Sequence, residues 1–89
     1  MNTDLSNEHK TILLAQETVS FGGMLLDYRL VACQSPSERF RICVASGDER
    51  VESVIGNDLE AALRTYRTVL QGRVTPCALE DVMYDLKSV

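Results

Sequence analysis

Three cysteines, one histidine and a pair of carboxylates at helical spacing are the groups on which this chain of 89 residues could build chemistry. Cys33, Cys43 and Cys77 form no Cys-x-x-Cys pair and none stands near His9, so neither a redox dithiol nor a zinc-type ligand set is spelled out. They read first as small apolar side chains, with a redox, metal or nucleophilic role as the minor alternative. Cys77 is the most exposed to chemistry in sequence terms, because it falls in the first turn of a predicted helix, with Glu80 and Asp81 close by. Asp81 and Asp85, at i and i+4, put two carboxylates on one helix face, where they could meet a cation or a basic partner. Acids at that spacing are also common on a solvated helix. Gly22-Gly23 lacks the further glycines of a dinucleotide or phosphate loop. Acid-base or nucleophilic catalysis needs its groups within reach of one another, and these do not assemble. The reading is a non-enzyme, with no catalytic residue, no cofactor and no metal; a small enzyme or ligand-binding domain is the second alternative.

Charge narrows the partners. Nine basic residues stand against 13 acidic ones, a net charge of −4, and the last predicted helix carries Glu80, Asp81 and Asp85 against Lys87. A short helix-turn-helix-like arrangement would have to bring that acidic helix to phosphates, which the electrostatics oppose. Nucleic-acid binding is therefore the alternative, resting on Arg39 and Arg41 of a predicted strand and Arg64, Arg67 and Arg73 further on. No run approaches the roughly 18 apolar residues of a membrane span. The opening MNTDLSNEHK has neither the basic start nor the apolar middle of a signal peptide. The expectation is a cytoplasmic protein without a membrane partner.

The elements that must position these residues follow from periodicity and punctuation. Residues 1–10 read as a flexible lead-in and 11–89 as one domain. Strand-favouring residues fill about 11–20, and Gly22-Gly23 turns the chain into a second strand at about 24–34, where Leu26, Tyr28, Leu30 and Ala32 share a side. After the polar loop around Pro36, the third strand at about 39–46 alternates cleanly, with Phe40, Ile42 and Val44 on one side and Arg39, Arg41 and Cys43 on the other. Gly47-Asp48 is a two-residue hairpin turn. It pairs Ser46 with Glu49, Val44 with Val51, Ile42 with Ser53 and Phe40 with Ile55, so the fourth strand spans about 49–55.

Two helices follow, at about 58–71 and 76–87. Asn57 is the expected N-cap of the first, with Glu60 completing a capping box. Gly72 is the expected left-handed terminator. Thr75 and Pro76 start the second helix. The fold class is α+β: an antiparallel four-stranded meander followed by two C-terminal helices packed on one of its faces. The expected core joins Leu26, Tyr28, Leu30, Phe40, Ile42, Val44, Val51 and Ile55 of the sheet to Leu59, Leu63, Tyr66, Leu70, Leu79, Val82 and Leu86 of the helices.

The stretch LQGRVTPCALEDVMYDL, with DYRL of the second strand before it, resembles a family of small Firmicutes proteins catalogued only as a domain of unknown function. Tyr28, Thr75, Pro76, Leu79, Asp81, Val82, Asp85 and Leu86 carry the likeness, which spans residues 24–86. Arg29 stands where the family pattern has glycine, and Ala78 where histidine is common. The resemblance implies a small intracellular bacterial protein of no assigned activity. Taken together, the sequence predicts a non-catalytic module that binds another protein or a second copy of itself. Arg39 and Arg41 on the sheet and Asp81 and Asp85 on the last helix are the candidate contact residues.

Overall fold

The computed structural model describes residues 11–34 and 38–87; the predicted lead-in with His9, and the loop tip at Pro36, lie outside them. Four strands, β1 (Thr11–Phe21), β2 (Met24–Cys33), β3 (Phe40–Ser46) and β4 (Glu49–Gly56), form one sheet in sequence order. Every neighbouring pair is antiparallel. Helix α1 (Leu59–Gln71), a 3-10 turn (Pro76–Ala78) and helix α2 (Leu79–Lys87) complete the chain. This is the expected α+β meander with two terminal helices, and among the described residues no helix is long and apolar enough to cross a membrane.

The hairpin at Gly47 sets the register as the sequence predicts. Gly47 takes φ 58, open to glycine without a Cβ clash, and Ser46 pairs with Glu49, Val44 with Val51 and Ile42 with Ser53. At the far end the prediction fails by one residue. A bulge between Phe40 and Arg41 sets Phe40 opposite Gly56 instead of Ile55, because an extra residue on one strand advances the register beyond it.

The helix ends also differ from expectation. The Asn57 side chain accepts a hydrogen bond from the Arg39 amide at 3.1 Å, tying the end of β4 to the start of β3. Asp58 takes over as N-cap and accepts from the Glu60 amide. At the other end Gly72 stays right-handed with φ −81, and Arg73 adopts φ 49. The amides of Arg73 and Val74 bond back to the Leu70 and Val69 carbonyls at 3.1 and 3.2 Å, the paired bonds of a Schellman termination. The left-handed residue is thus one position later than the glycine. Thr75 caps the 3-10 turn by position alone; its hydroxyl lies 3.6 Å from Cys77 Sγ.

The core lies between the helices and β2 to β4. Leu26, Tyr28 and Leu30 of β2 and Phe40, Ile42 and Val44 of β3 are buried beneath Ala62, Tyr66, Val69, Leu79 and Met83. Val51, Ile55, Leu63, Leu70 and Val82 pack around this centre at partial exposure. Two expected members are corrected: Leu59 is 48% and Leu86 37% exposed. Both sit at the ends of their helices. The inward line of α1 runs through Ala62, Tyr66 and Val69, and that of α2 through Leu79 and Met83.

Two tyrosine hydroxyls are carried into this core and both find acceptors. Tyr28 donates to the Val74 carbonyl at 3.0 Å, and Tyr66 donates to the Tyr28 carbonyl at 3.4 Å. The first bond fastens the loop between the helices to the sheet, and the second fastens α1. Burial raises both phenols above the ordinary tyrosine value; the nearby Arg73 partly offsets this for Tyr28, whereas Glu17 and Asp27 add to it for Tyr66. An unfolded chain therefore gives up these protons at lower pH than the native one, and stability falls as pH rises through and beyond about 10. Alkaline titration followed by circular dichroism should show unfolding that sets in there, and Tyr66→Phe should move it upward. An unchanged alkaline transition would contradict the assignment.

Candidate interaction surface

The helices occupy one face of the sheet and leave the other open. Cross-strand partners share a face, so the register places Leu13, Val31, Arg41 and Val54 in one row of the open face. Gln16, Arg29, Cys43 and Glu52 form the next row, and Thr18, Asp27, Ala45 and Arg50 the one after. Opposite charges neighbour one another along it. Arg29 Nε lies 2.9 Å from Asp27, Arg41 reaches Glu38 at 3.3 Å and Glu52 at 3.7 Å, and Arg50 meets Glu52 at 3.7 Å. Asp27 also accepts from Gln16 at 3.2 Å and Thr18 at 3.3 Å. Pairs this exposed contribute about 0 to 1 kcal/mol each. Their geometric effect is larger, because charged side chains laid across the sheet cover apolar surface with their stems. Cys43, in the middle of this face, is only 4% exposed.

The four contact candidates are distributed over more than one surface. Arg41 lies on the open face inside the ion-pair network, with its Nε buried and without a hydrogen-bond partner among the described residues. Arg39 precedes β3, exposed, with its carbonyl accepting from Cys33 and its amide bonded to Asn57. Asp81 and Asp85 are exposed on α2, which packs against β4 from the helix side of the sheet. A flat partner resting on Arg41 would not reach them. Arg64 and Arg67 are likewise on the helix side, where with Glu60 and Leu63 they line a shallow open depression.

Sequence reasoning missed the strand with the most open surface. None of the 11 residues of β1 is buried, and only Ala15 and Val19 are half-buried. The helices rest on β2, β3 and β4, so β1 lies at the margin of the covered area, where only Ala15 and Val19 pack against the core, and among the described residues it has a neighbouring strand on one side only. Ile12, Leu13 and Leu14 are 55, 51 and 43% exposed at its start, and Phe21 is 45% exposed at its end. Met24 and Leu25, across the Gly22-Gly23 turn, are 40 and 66% exposed. Its sequence held the signal: apolar residues not arranged in the strict alternation of a half-buried strand.

The three thiols are graded in access, Cys77 exposed, Cys33 intermediate and Cys43 buried, and all are free. Among the described residues no group of three or more His, Cys, Asp or Glu is placed to hold a metal ion. Compared with family models, with curated proteins and with solved structures, the chain matches none of them.

Proposed function

We propose that this chain is a non-catalytic protein-binding module whose working surface is β1 with the hairpin tip beside it. One observation carries the reading: the longest strand of the sheet is an edge, is apolar at both ends, and has no buried residue. Soluble proteins protect such edges with short strands, proline, lysine or an overlying element. β1 has no lysine, arginine or proline, and Glu17 is its one charge. The opposite edge, β4, carries Glu49, Arg50 and Glu52 and is flanked by α2 and the 3-10 turn. An unprotected edge of this kind is the element that accepts another strand in β-augmentation.

Nucleic-acid binding draws less support from the same geometry. Its arginines are divided between the open face, where Arg41 is already paired with carboxylates, and α1 on the other side of the sheet. A continuous basic stripe would be needed to follow phosphates. The test is capture by the immobilised chain from the lysate of its own source, compared across surface variants. Thr18→Lys on β1 should abolish retention of the captured species, whereas Glu49→Lys on β4 and Arg41→Ala on the open face should retain it. Retention that Thr18→Lys leaves intact would refute the assignment to β1.

A further inference from the structure

The strand that β1 accepts, we propose, is β1 of a second copy, paired antiparallel about a twofold axis through Thr18 to make one continuous sheet across the dimer. This deepens the protein-binding reading and rests on it. The regular part of the edge runs over residues 15–21, since the bulge between Leu13 and Ala15 interrupts the ladder before it. Closed twofold pairing requires a self-complementary strand, and only certain registers qualify. An axis through Glu17 would set two carboxylates face to face, which is destabilising for directly opposed like charges.

An axis through Thr18 avoids this. It places Glu17 opposite the partner's Val19, Gln16 opposite the partner's Ser20 and Ala15 opposite the partner's Phe21. Thr18 meets the partner's Thr18, a favourable cross-strand pair. Faces agree throughout, because Ala15, Glu17 and Val19 lie on the helix side with Leu30, Tyr28 and Leu26, while Gln16 and Thr18 lie on the open side with Arg29 and Asp27. The same axis brings the apolar start of each β1, Ile12 to Leu14, beside the other copy's hairpin tip. That accounts for exposed apolar residues at both ends of the strand and polar ones between them.

The charge of this edge agrees with a second copy as occupant, and its size sets how tightly that copy is held. Two chains of net charge −4 repel in general, and β1 is an edge with a single acid, which this register keeps apart from its symmetry mate. An interface of standard size takes about 800 Å² from each copy. A strand of 11 residues is about 37 Å long and one layer about 10 Å deep, so the edge supplies roughly 370 Å², about half of that, which fits a dimer that forms with rising concentration.

Sedimentation of the full chain over increasing concentration tests the dimer, and a cysteine placed at the axis tests the register. Wild type should pass from monomer to dimer. Thr18→Lys should weaken association at least tenfold while keeping the wild-type circular dichroism spectrum, and Glu49→Lys should associate as wild type does. In a Cys77→Ser background, Thr18→Cys should form a disulfide dimer under mild oxidation. Gln16→Cys should not, because the two Gln16 positions lie too far apart along the strands for a bond that needs Cα atoms within about 7 Å. A wild-type chain that stays monomeric, association unaffected by Thr18→Lys, or cross-linking of Gln16→Cys as fast as of Thr18→Cys would each overturn the proposal. A monomer whose lysate capture is still lost with Thr18→Lys would overturn the second copy while leaving the protein-binding reading in place.

Discussion

Replacing Ile42 by alanine should lower stability by about 2 to 5 kcal/mol, the range for deleting a fully buried aliphatic side chain and leaving part of its cavity unfilled. Ile42 is 0% exposed at the middle of β3, opposite Leu30 on one side and Ser53 on the other, with the helix layer above it. Rigid neighbours on both strands limit how far the site can collapse. The comparison that gives the experiment its force is Leu59→Ala. Leu59 shares the amphipathic stripe of α1 in sequence, yet it is 48% exposed, so its truncation should cost about 0.5 kcal/mol or less. Urea denaturation of both variants decides between them. Equal losses would mean that the sequence stripe, and not the observed burial, describes the core.

An aspartate at Leu79 should unfold the chain at ambient temperature. Leu79 is fully buried at the start of α2, and a carboxylate there would have to stay uncompensated in the core or draw a proton, at a cost of several kcal/mol. A domain of this size has a total stability of only about 4 to 13 kcal/mol. Leu86→Asp, on the same helix at 37% exposure, should fold with a small loss. Circular dichroism of the pair checks the orientation of α2. If Leu86→Asp were the damaging change, the helix would have to be turned about its axis relative to the packing seen here.

These contrasts mark where sequence periodicity stops being informative. A stripe on a helical wheel is wide, and it names Leu59, Ala62, Leu63, Tyr66, Val69 and Leu70 together without saying which line lies deepest. The docking angle against a twisted sheet decides that, and it leaves the ends of α1 and α2 overhanging. Caps show the same limit. Asn57, Asp58, Gly72 and Thr75 are all of the right type for helix ends, but Asn57 is engaged by the Arg39 amide at the start of the neighbouring strand. The Val74 carbonyl, held by Tyr28, lies just beyond the termination of α1, where Arg73 and not Gly72 takes the left-handed turn.

The proposed interaction surface was legible only in fragments. Arg39, Arg41, Asp81 and Asp85 stand out in sequence because charge is visible there, yet the fold places Arg41 and the two aspartates on opposite sides of the sheet. β1 read as a strand from its strand-favouring residues, and the core expected from sequence drew no residue from it. What the periodicity could not say is how far the helices reach across the sheet, and therefore that β1 lies at the margin of their cover with only Ala15 and Val19 packed against the core.

By itself the sequence determined the local order: four strands, the hairpin at Gly47 with its register, two amphipathic helices, and the α+β class. These depend on short-range periodicity and turn chemistry, which are written residue by residue. The tertiary structure alone decided which side of each stripe is buried, that Cys43 on the open face is only 4% exposed, and that β1 is an edge strand among the described residues. Those outcomes depend on how two helices of fixed length lie across four twisted strands, and that area of cover is a property of the packed layers, carried by no single segment.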